Sequence, residues 1–328
     1  MKKVVVIFGI LLVVLSICIC KLIVNTSKQK EEINLLNSYE FDGMQVTVLG
    51  GSNMVDKGNI NSMGYIIRNR RGELIIVDGG QDIDTDLVYS YIEKYGNGKV
   101  DYWYLTHAHL DHIGALIKLL NENYNIEIEN LYYHFLDLEW YEKNDKRGYE
   151  TEKAMIESLS NPKIKNKIEC AKDQVIQMDN IRCDIIRIAN PEITNSDNGN
   201  EVSMTFKFTA EDVDKSIIFL GDSMTKASKE LLEVSDKLKA DAVQMAHHGQ
   251  SGVTKEVYNA IAPKICLFNC PKWLYENDNG EGVNSGKWKS LEVRAWLEEM
   301  GCTNVVAYEG DQTLHFAKDG IYKCVVND

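Results

Sequence analysis

Residues 102–114 read YWYLTHAHLDHIG and contain three of the seven histidines of the chain. The apolar run Tyr102–Leu105 predicts a buried strand, so Thr106–Leu110 is expected to leave the end of a sheet as a loop. Because alternate residues of an extended chain point the same way, His107 and His109 can present their imidazoles to one cation. The segment therefore predicts one half of a metal centre at a strand end.

Three carboxylates and a further imidazole extend this predicted centre. Asp111 and His112 are expected to begin the helix after the loop and to face a second cation. Asp222 and Asp78 each follow an apolar run that predicts a strand. A carboxylate held at a strand end is suited to bridging two cations or to orienting a ligating histidine. Neutral imidazole together with carboxylate suits zinc, and also manganese or iron.

A second pair of histidines follows another predicted strand. His247 and His248 come after Ala242–Met245 and directly before Gly249. Five of the seven histidines therefore fall in two short motifs, which histidines with scattered structural roles do not do. This clustering also predicts a metal centre.

Short apolar strands alternate with helical patterns over residues 41–328, without an internal repeat. The alternation predicts an α/β fold in which two sheets pack together with helices outside. The motif order is H-x-H-x-D-H, then a strand ending in Gly-Asp, then His-His-Gly, and it resembles the metallo-β-lactamase superfamily. The HHG element and the context Leu220–Ser223 are most similar to the competence-protein (ComEC-type) branch. The resemblance implies a four-layer αββα sandwich of two mixed β-sheets with flanking helices.

The resemblance also implies a role for each candidate residue in a centre with two divalent cations. It places His107 and His109 on the first cation, Asp111, His112 and His247 on the second, Asp222 between the two, and Asp78 behind the ligands. Zinc is the expected ion, with manganese as the alternative. Asp111 and His248 are expected to act in catalysis. For His248 this means donating a hydrogen bond to the transition state, unless its ring only packs under the HHG turn.

One position departs from the pattern of the superfamily. Many members carry another metal-binding histidine before the Gly-Asp strand, and its expected place here, Asn198–Ser203, contains none. The competence-protein branch resembles this sequence in having Asn and Ser there. We expect Asn200 or Ser203 to lie near the incomplete ligand position. His134 is the only histidine between the first motif and the Gly-Asp strand, and it comes too early in the chain to fill that position.

Two stretches, Phe135–Lys172 and Pro271–Trp288, are predicted to be inserted, loop-like segments. Their aromatic side chains either line a substrate pocket or pack the loops onto the core. These side chains are Trp140, Tyr141, Trp273, Tyr275 and Trp288.

The overall charge argues against a nucleic acid substrate. The chain has 328 residues, with 36 basic and 49 acidic side chains and a formal charge of -13. An acidic surface repels nucleic acid phosphates unless a basic groove overrides it, and the basic residues here are scattered. Nucleic acid is therefore disfavoured as a partner.

The N-terminus predicts attachment to a membrane. Lys2 and Lys3 precede the apolar segment Val4–Val24, which is long enough to cross a bilayer if Lys21 reaches the interface. The paired lysines favour a cytoplasmic N-terminus, which places the rest of the chain outside. A cleaved signal peptide, and thus secretion, is the alternative. These features predict an anchor over residues 1–24, a polar stalk over 25–40 and a hydrolase domain over 41–328.

The expected activity is hydrolysis by hydroxide that two cations generate near neutral pH. A phosphodiester outside the cytoplasmic membrane is favoured over a lactam, by analogy with the competence-protein branch. The alternatives are a phosphorylcholine-type esterase of surface polymers, a nuclease, and a metal-binding sensor without catalysis. The sensor is disfavoured because a decaying site would have lost more ligands than one.

Overall fold

Two mixed β-sheets form the centre of the computed structural model, which describes residues 41–51, 61–194 and 199–324. The first sheet has eight strands in the order β15-β14-β1-β2-β3-β4-β5-β6, and the second has seven in the order β13-β12-β11-β10-β9-β8-β7. The strands are β1 Met44–Val48, β2 Gly64–Arg68, β3 Leu74–Asp78, β4 Lys99–Tyr104, β5 Glu127–Tyr133, β6 Ile164–Glu169, β7 Val175–Met178, β8 Ile181–Arg187, β9 Thr205–Ala210, β10 Lys215–Phe219, β11 Ala242–Gln244, β12 Ile265–Phe268, β13 Thr303–Val306, β14 Gln312–Ala317 and β15 Gly320–Cys324.

Aromatic side chains fill the space between the sheets. Tyr104 on β4 lies 5.2 Å from Phe206 on β9, measured between ring centroids. Tyr65 on β2 lies 5.1 Å from Phe219 on β10 in an edge-to-face contact. All four rings are fully buried, so they remove a large apolar area from water and hold the sheets face to face.

Helices cover the outer face of each sheet. Apolar side chains of Thr85–Tyr91 and Leu110–Asn121 pack on the outside of the first sheet. Those of Thr225–Glu233, Lys255–Ile261 and Ser290–Glu299 pack on the outside of the second. Strands such as β3 are buried along their whole length because both of their faces are covered. The predicted four-layer αββα sandwich is confirmed.

The candidate residues converge because parallel strands end at the same edge of a sheet. In the first sheet β3 pairs in parallel with β4, and in the second β10 pairs in parallel with β11. Asp78 ends β3, and the loop that begins at Leu105 follows β4. Asp222 and His247 lie just beyond β10 and β11. Loops that leave parallel strands in this way are where α/β proteins place their sites.

The prediction that Phe135–Lys172 is loop-like is wrong outside Glu150–Leu159, where the sequence pattern predicts a helix and the structure has one. The segment contains the helices Leu138–Asn144 and Lys146–Ser158 followed by β6. Asp137 caps the first of these helices by accepting a hydrogen bond from the Trp140 amide at 2.8 Å. Buried Trp140 and Tyr141 pack this segment against the core. In Pro271–Trp288, by contrast, the only helix among these described residues is the short Lys272–Tyr275.

The membrane prediction concerns residues outside those described. The anchor Val4–Val24 and the stalk Asn25–Glu40 both precede residue 41, where the description begins. Within 41–51, 61–194 and 199–324, no helix combines the length and the apolar composition that a membrane span requires. Phe41–Asp328 form one compact unit.

Glu152 in the helix Lys146–Ser158 makes stability depend on pH. Its side chain is fully buried, and neither carboxyl oxygen has a hydrogen-bond partner. Burial raises the pKa of Glu152 to about 8. The unfolded chain ionises this group near its ordinary pKa of roughly 4.3, so the folded state loses stability as the pH rises from there to about 8.

We therefore expect Glu152→Gln to stabilise the protein increasingly as the pH rises from 5 to 8. The gain in unfolding free energy should grow by at most about 1.4 kcal/mol per pH unit. The cost of burying the glutamine amide does not depend on pH, so it leaves this slope unchanged. Denaturant unfolding at several pH values measures the difference, with the exposed neighbour Glu150→Gln as control. Equal pH profiles for Glu152→Gln and wild type would show that Glu152 is not buried in this way.

Candidate metal centre

Three imidazoles of the first motif meet at the end of β4. The helix Leu110–Asn121 begins inside the motif, so His112 lies in its first turn. The rings of His107 and His112 are 4.1 Å apart and those of His107 and His109 are 4.7 Å apart, centroid to centroid. His107 and His112 are 1% and 0% exposed. Both rings are therefore buried at the edge of the sheet where the strands end.

Asp78 orients His112 from behind, in the position that the sequence predicted for it. His112 Nδ1 donates a hydrogen bond to Asp78 Oδ2 at 2.7 Å. The Thr106 amide and hydroxyl donate to the two oxygens of the same carboxylate, each at 2.8 Å. Because Nδ1 carries the proton, Nε2 of His112 is left as a free ligand atom.

The loop that carries Asp222 is fixed by buried polar side chains. The Asp222 amide donates to Ser203 Oγ at 3.0 Å, and Gln244 Nε2 donates to the Gly221 carbonyl at 2.9 Å. Gly221 has φ +54°, and a Cβ there would lie 2.8 Å from Ser203 and Thr106, so only glycine fits. This holds Asp222 Oδ1 3.2 Å from His112 Nε2.

The HHG turn directs its two histidines to different places. His247 and His248 both have left-handed backbone, with φ +50° and +57°. His248 Nδ1 donates to the Asn269 carbonyl at 2.7 Å, and its Nε2 lies 3.1 Å from Asp111 Oδ2. His247 Nε2 lies 4.0 Å from Asp222 Oδ2. The structure thus brings His248 beside Asp111, where the sequence analysis expected His247.

The donors form two groups that fit divalent cations. Atoms of His107, His112 and Asp222 lie within 4.8 Å of one another, and so do atoms of Asp111, His112 and His248. Three of these atoms, His107 Nε2, His112 Nε2 and Asp222 Oδ1, are buried without a hydrogen-bond partner. Leaving such atoms unpaired costs free energy that a bound cation would recover.

The charge states of the donors also suit a cation. Burial, aided by the neighbouring His112 and His109, lowers the pKa of His107 well below its usual value, which leaves the neutral imidazole that a metal requires. Burial by itself would raise the pKa of Asp111, but the hydrogen bond from His248 and the charge of His112 lower it overall. Asp111 is therefore a carboxylate at neutral pH.

His109 has a partner that the sequence analysis missed. Its Nε2 forms a 2.8 Å hydrogen bond with Oδ2 of Asp145, which is 3% exposed. With Nε2 engaged, Nδ1 is the ring atom that remains for a cation. Asp145 is 36 residues from His109 in the segment predicted to be a loop, and no local pattern marks it as part of the site.

The structure separates the candidates for the incomplete ligand position. Ser203 Oγ donates to the Asn200 carbonyl at 2.8 Å and accepts from the Asp222 amide, so its bonds are used within the loop. Asn200 Oδ1 is buried without a partner, while Asn200 Nδ2 lies 3.3 Å from His247 Nε2. His134 Nδ1 donates to the Cys170 carbonyl at 2.7 Å and belongs to neither donor group. Of these residues, Asn200 has the free ligand atom.

Comparison with known proteins agrees with this geometry. The family model of the metallo-beta-lactamase superfamily matches residues 58–169, which contain the H-x-H-x-D-H motif. The matched part of the chain resembles this superfamily. The match supports a metal-dependent hydrolase, and the donor groups described above could hold the metal.

Resemblance to the competence-protein branch, predicted from the motifs, is confirmed as a distant relationship. ComE operon protein 3 of Bacillus subtilis (strain 168) is 22% identical over 247 residues, covering 68% of this chain. The match spans only 28% of the length of that protein.

Solved structures of similar fold include the metallo-beta-lactamase fold protein YhfI from Bacillus subtilis. It is 17% identical, with a TM-score of 0.47, and the match covers 81% of this chain and 96% of that one. A diphosphatase from the PhnP family is 13% identical, with a TM-score of 0.45, over 83% of this chain and 98% of that one.

The two donor groups predict the metal content of the protein. Purified residues 25–328 should bind about two transition-metal ions per chain, measured by elemental analysis after reconstitution. Asp222→Ala should lower this to about one ion or fewer, because the carboxylate reaches both groups. His134→Ala is the matched control and should leave the content unchanged. Loss of an ion from His134→Ala, or no uptake by the wild type, would contradict this assignment.

Proposed function

We propose that this chain hydrolyses a phosphodiester with the help of two divalent cations, zinc in the first instance and manganese as the alternative. The observation that carries the proposal is the pair of adjacent donor groups that share His112. Asp222 reaches both, since its oxygens lie 3.2 Å from His112 Nε2 and 3.6 Å from His248 Nε2. A pair of cations held this way suits displacement at phosphorus, where the attacking and leaving oxygens both need charge stabilisation.

The ligand assignment follows the free atoms of each donor. We propose that His107, His109 and Asp222 would hold one cation and that Asp111, His112 and His248 would hold the other, with Asp222 within reach of both donor groups. Asn200 Oδ1, which is buried without a hydrogen-bond partner, would be a further donor for the first cation. When bound, the cations supply Lewis acidity and a water acidic enough to act near neutral pH.

The protein's own contribution is to hold these groups still and to contact the substrate. The Asp78 carboxylate accepts a hydrogen bond from the ring N–H of His112, and the Asn269 carbonyl accepts one from the ring N–H of His248. These bonds fix both imidazoles and leave the other nitrogen of each ring available to bind a cation. His247 has a side chain that is 18% exposed, more than His248 at 1%. We therefore assign to His247 the contact with substrate oxygens that the sequence analysis gave to His248.

The charge of the whole chain supports a small or zwitterionic substrate over nucleic acid. With a formal charge of -13, the surface opposes the approach of a long polyanion. A cationic centre in an acidic protein instead favours a single phosphodiester, as in a phosphorylcholine-type ester of a surface polymer. A nuclease is the second candidate, supported by the likeness to the competence-protein branch.

A substrate panel tests the proposal directly. Bis-(p-nitrophenyl) phosphate, p-nitrophenylphosphorylcholine, single-stranded DNA and a chromogenic cephalosporin are each incubated with protein loaded with zinc or manganese. We expect turnover of one or both nitrophenyl esters and none of the cephalosporin. Asp111→Ala should reduce that turnover by at least about a hundredfold while preserving the fold, because the core is formed by the strands. Cephalosporin hydrolysis alone, or metal binding with no turnover of any ester, would reject the phosphodiesterase assignment.

We also propose that the hydrolase domain lies outside the cytoplasmic membrane, held there by Val4–Val24. The support is the pair of lysines before the apolar segment. Protease added to intact wall-stripped cells should release a fragment that begins within Asn25–Glu40. Replacing Lys2 and Lys3 by glutamate should weaken this orientation, and replacing two lysines of the stalk should not. Full protection of the domain from protease would mean that the orientation is reversed.

A further inference from the structure

We propose that Asp145 is a positioning residue for the first cation, because it fixes which ring nitrogen His109 offers. This inference rests on the two-cation centre of the proposed function, but it does not depend on which ester is the substrate. The juxtaposition behind it is the 2.8 Å contact between His109 Nε2 and Asp145 Oδ2.

The chemistry of the contact determines the tautomer of His109. An ionised carboxylate accepts hydrogen bonds and has none to donate, so the shared proton sits on His109 Nε2. The lone pair of a neutral imidazole is then on Nδ1. The side chains of His109 and Asp145 are 10% and 2% exposed, so water competes little for this hydrogen bond. Asp145 therefore both selects the ligand atom and limits rotation of the ring.

The backbone around Asp145 holds the carboxylate in place. Asp145 joins the helices Leu138–Asn144 and Lys146–Ser158, with its amide bonded to the Tyr141 carbonyl at 2.8 Å. The side chain of Asp145 lies against the backbone of Gly148 and Gly199. One of these glycines is in the second helix, and the other precedes Asn200, so Asp145 ties both segments to the site.

Both glycines leave room for this contact. A Cβ on Gly148 would lie 2.3 Å from Asp145 Oδ2, and a Cβ on Gly199 would lie 2.1 Å from that oxygen and 2.6 Å from His109 Nε2. Neither glycine has a positive φ, so it is their small size that the structure requires. Gly148 lies within a helix, where alanine would ordinarily be more stable by about 0.5–1 kcal/mol. Close approach to Asp145 is the reason that glycine stands there.

The contact matters because the first cation has only a small number of imidazoles. The first cation has two histidines in our assignment and no third, so its affinity depends strongly on the basicity and orientation of each. A ligating histidine whose other N–H bonds a carboxylate is a stronger, better oriented ligand, and loss of such a partner typically costs 10- to 100-fold in metal affinity. Asp145 thus compensates in part for the missing histidine.

The test measures how tightly Asp145→Ala binds each cation, by titrating the zinc-loaded protein with a chelator. We expect the first ion to be lost at about 10- to 100-fold lower chelator concentration than in wild type, while the second is retained. Asp145→Asn should be intermediate, because its amide oxygen accepts a hydrogen bond without a negative charge. The matched control is Asp137→Ala, which removes a helix cap in the same segment and should lower Tm without releasing either ion. Wild-type retention of both ions by Asp145→Ala would overturn the proposal.

Two further measurements separate this role from a purely structural one. If Asp145→Ala does not fold, Gly148→Ala tests the same contact: we expect weaker binding of the first ion even though alanine favours the helix, and unchanged binding would count against the proposal. In the metal-free protein, ring ¹⁵N shifts should show His109 as the Nε2–H tautomer, and Asp145→Ala should lose that preference. This measurement needs neither metal nor substrate, so it stands even if the phosphodiesterase assignment fails. A wild-type His109 protonated on Nδ1 would refute the proposal.

Discussion

Burial of His112 between two carboxylates is the constraint on which the site depends. The ring has no exposure, and its two nitrogens face Asp78 at 2.7 Å and Asp222 at 3.2 Å. Burial lowers the pKa of an imidazole, but Asp222 and Asp78 more than reverse this and raise the pKa of His112 well above its usual value in the protein without metal. A cation at Nε2 would take the place of that second proton. The site is therefore built to hold positive charge at this point.

The architecture of the two sheets explains why such an arrangement is stable. The donor segments follow β4, β10 and β11, and the ends of these strands next to the site are buried. Asn269 links the two sheets at this edge, because its side-chain amide donates hydrogen bonds to the backbone carbonyls of Leu49 and Gly64. The backbone carbonyl of Asn269 accepts the ring N–H of His248. Displacing His248 would therefore require a change in the packing between the sheets.

The segment around Asp145 supports the site through the hydrogen bond between Asp145 and His109. The sequence predicts an inserted, loop-like segment there that carries aromatic side chains. The structure shows two helices there, the first of them capped by Asp137, and the aromatic side chains Trp140 and Tyr141 pack the segment against the core. A segment that is well packed can hold a carboxylate rigidly against a ligand, which an exposed loop could not do.

The sequence by itself determined that two sheets pack together with helices outside, and its resemblance to a known family implied the four-layer sandwich and the candidate donors. The H-x-H-x-D-H and Gly-Asp residues directly follow strands, so their positions depend on the local geometry of a few residues. Sequence periodicity predicts that local geometry. Only the tertiary structure decided the rest: that His248 and not His247 meets Asp111, that Asn200 and not Ser203 has a free oxygen, and that Asp145 supports His109. These outcomes depend on left-handed backbone at the HHG turn and on contacts between segments far apart in the chain. Such contacts are set by packing of the whole fold, so no local pattern could reveal them.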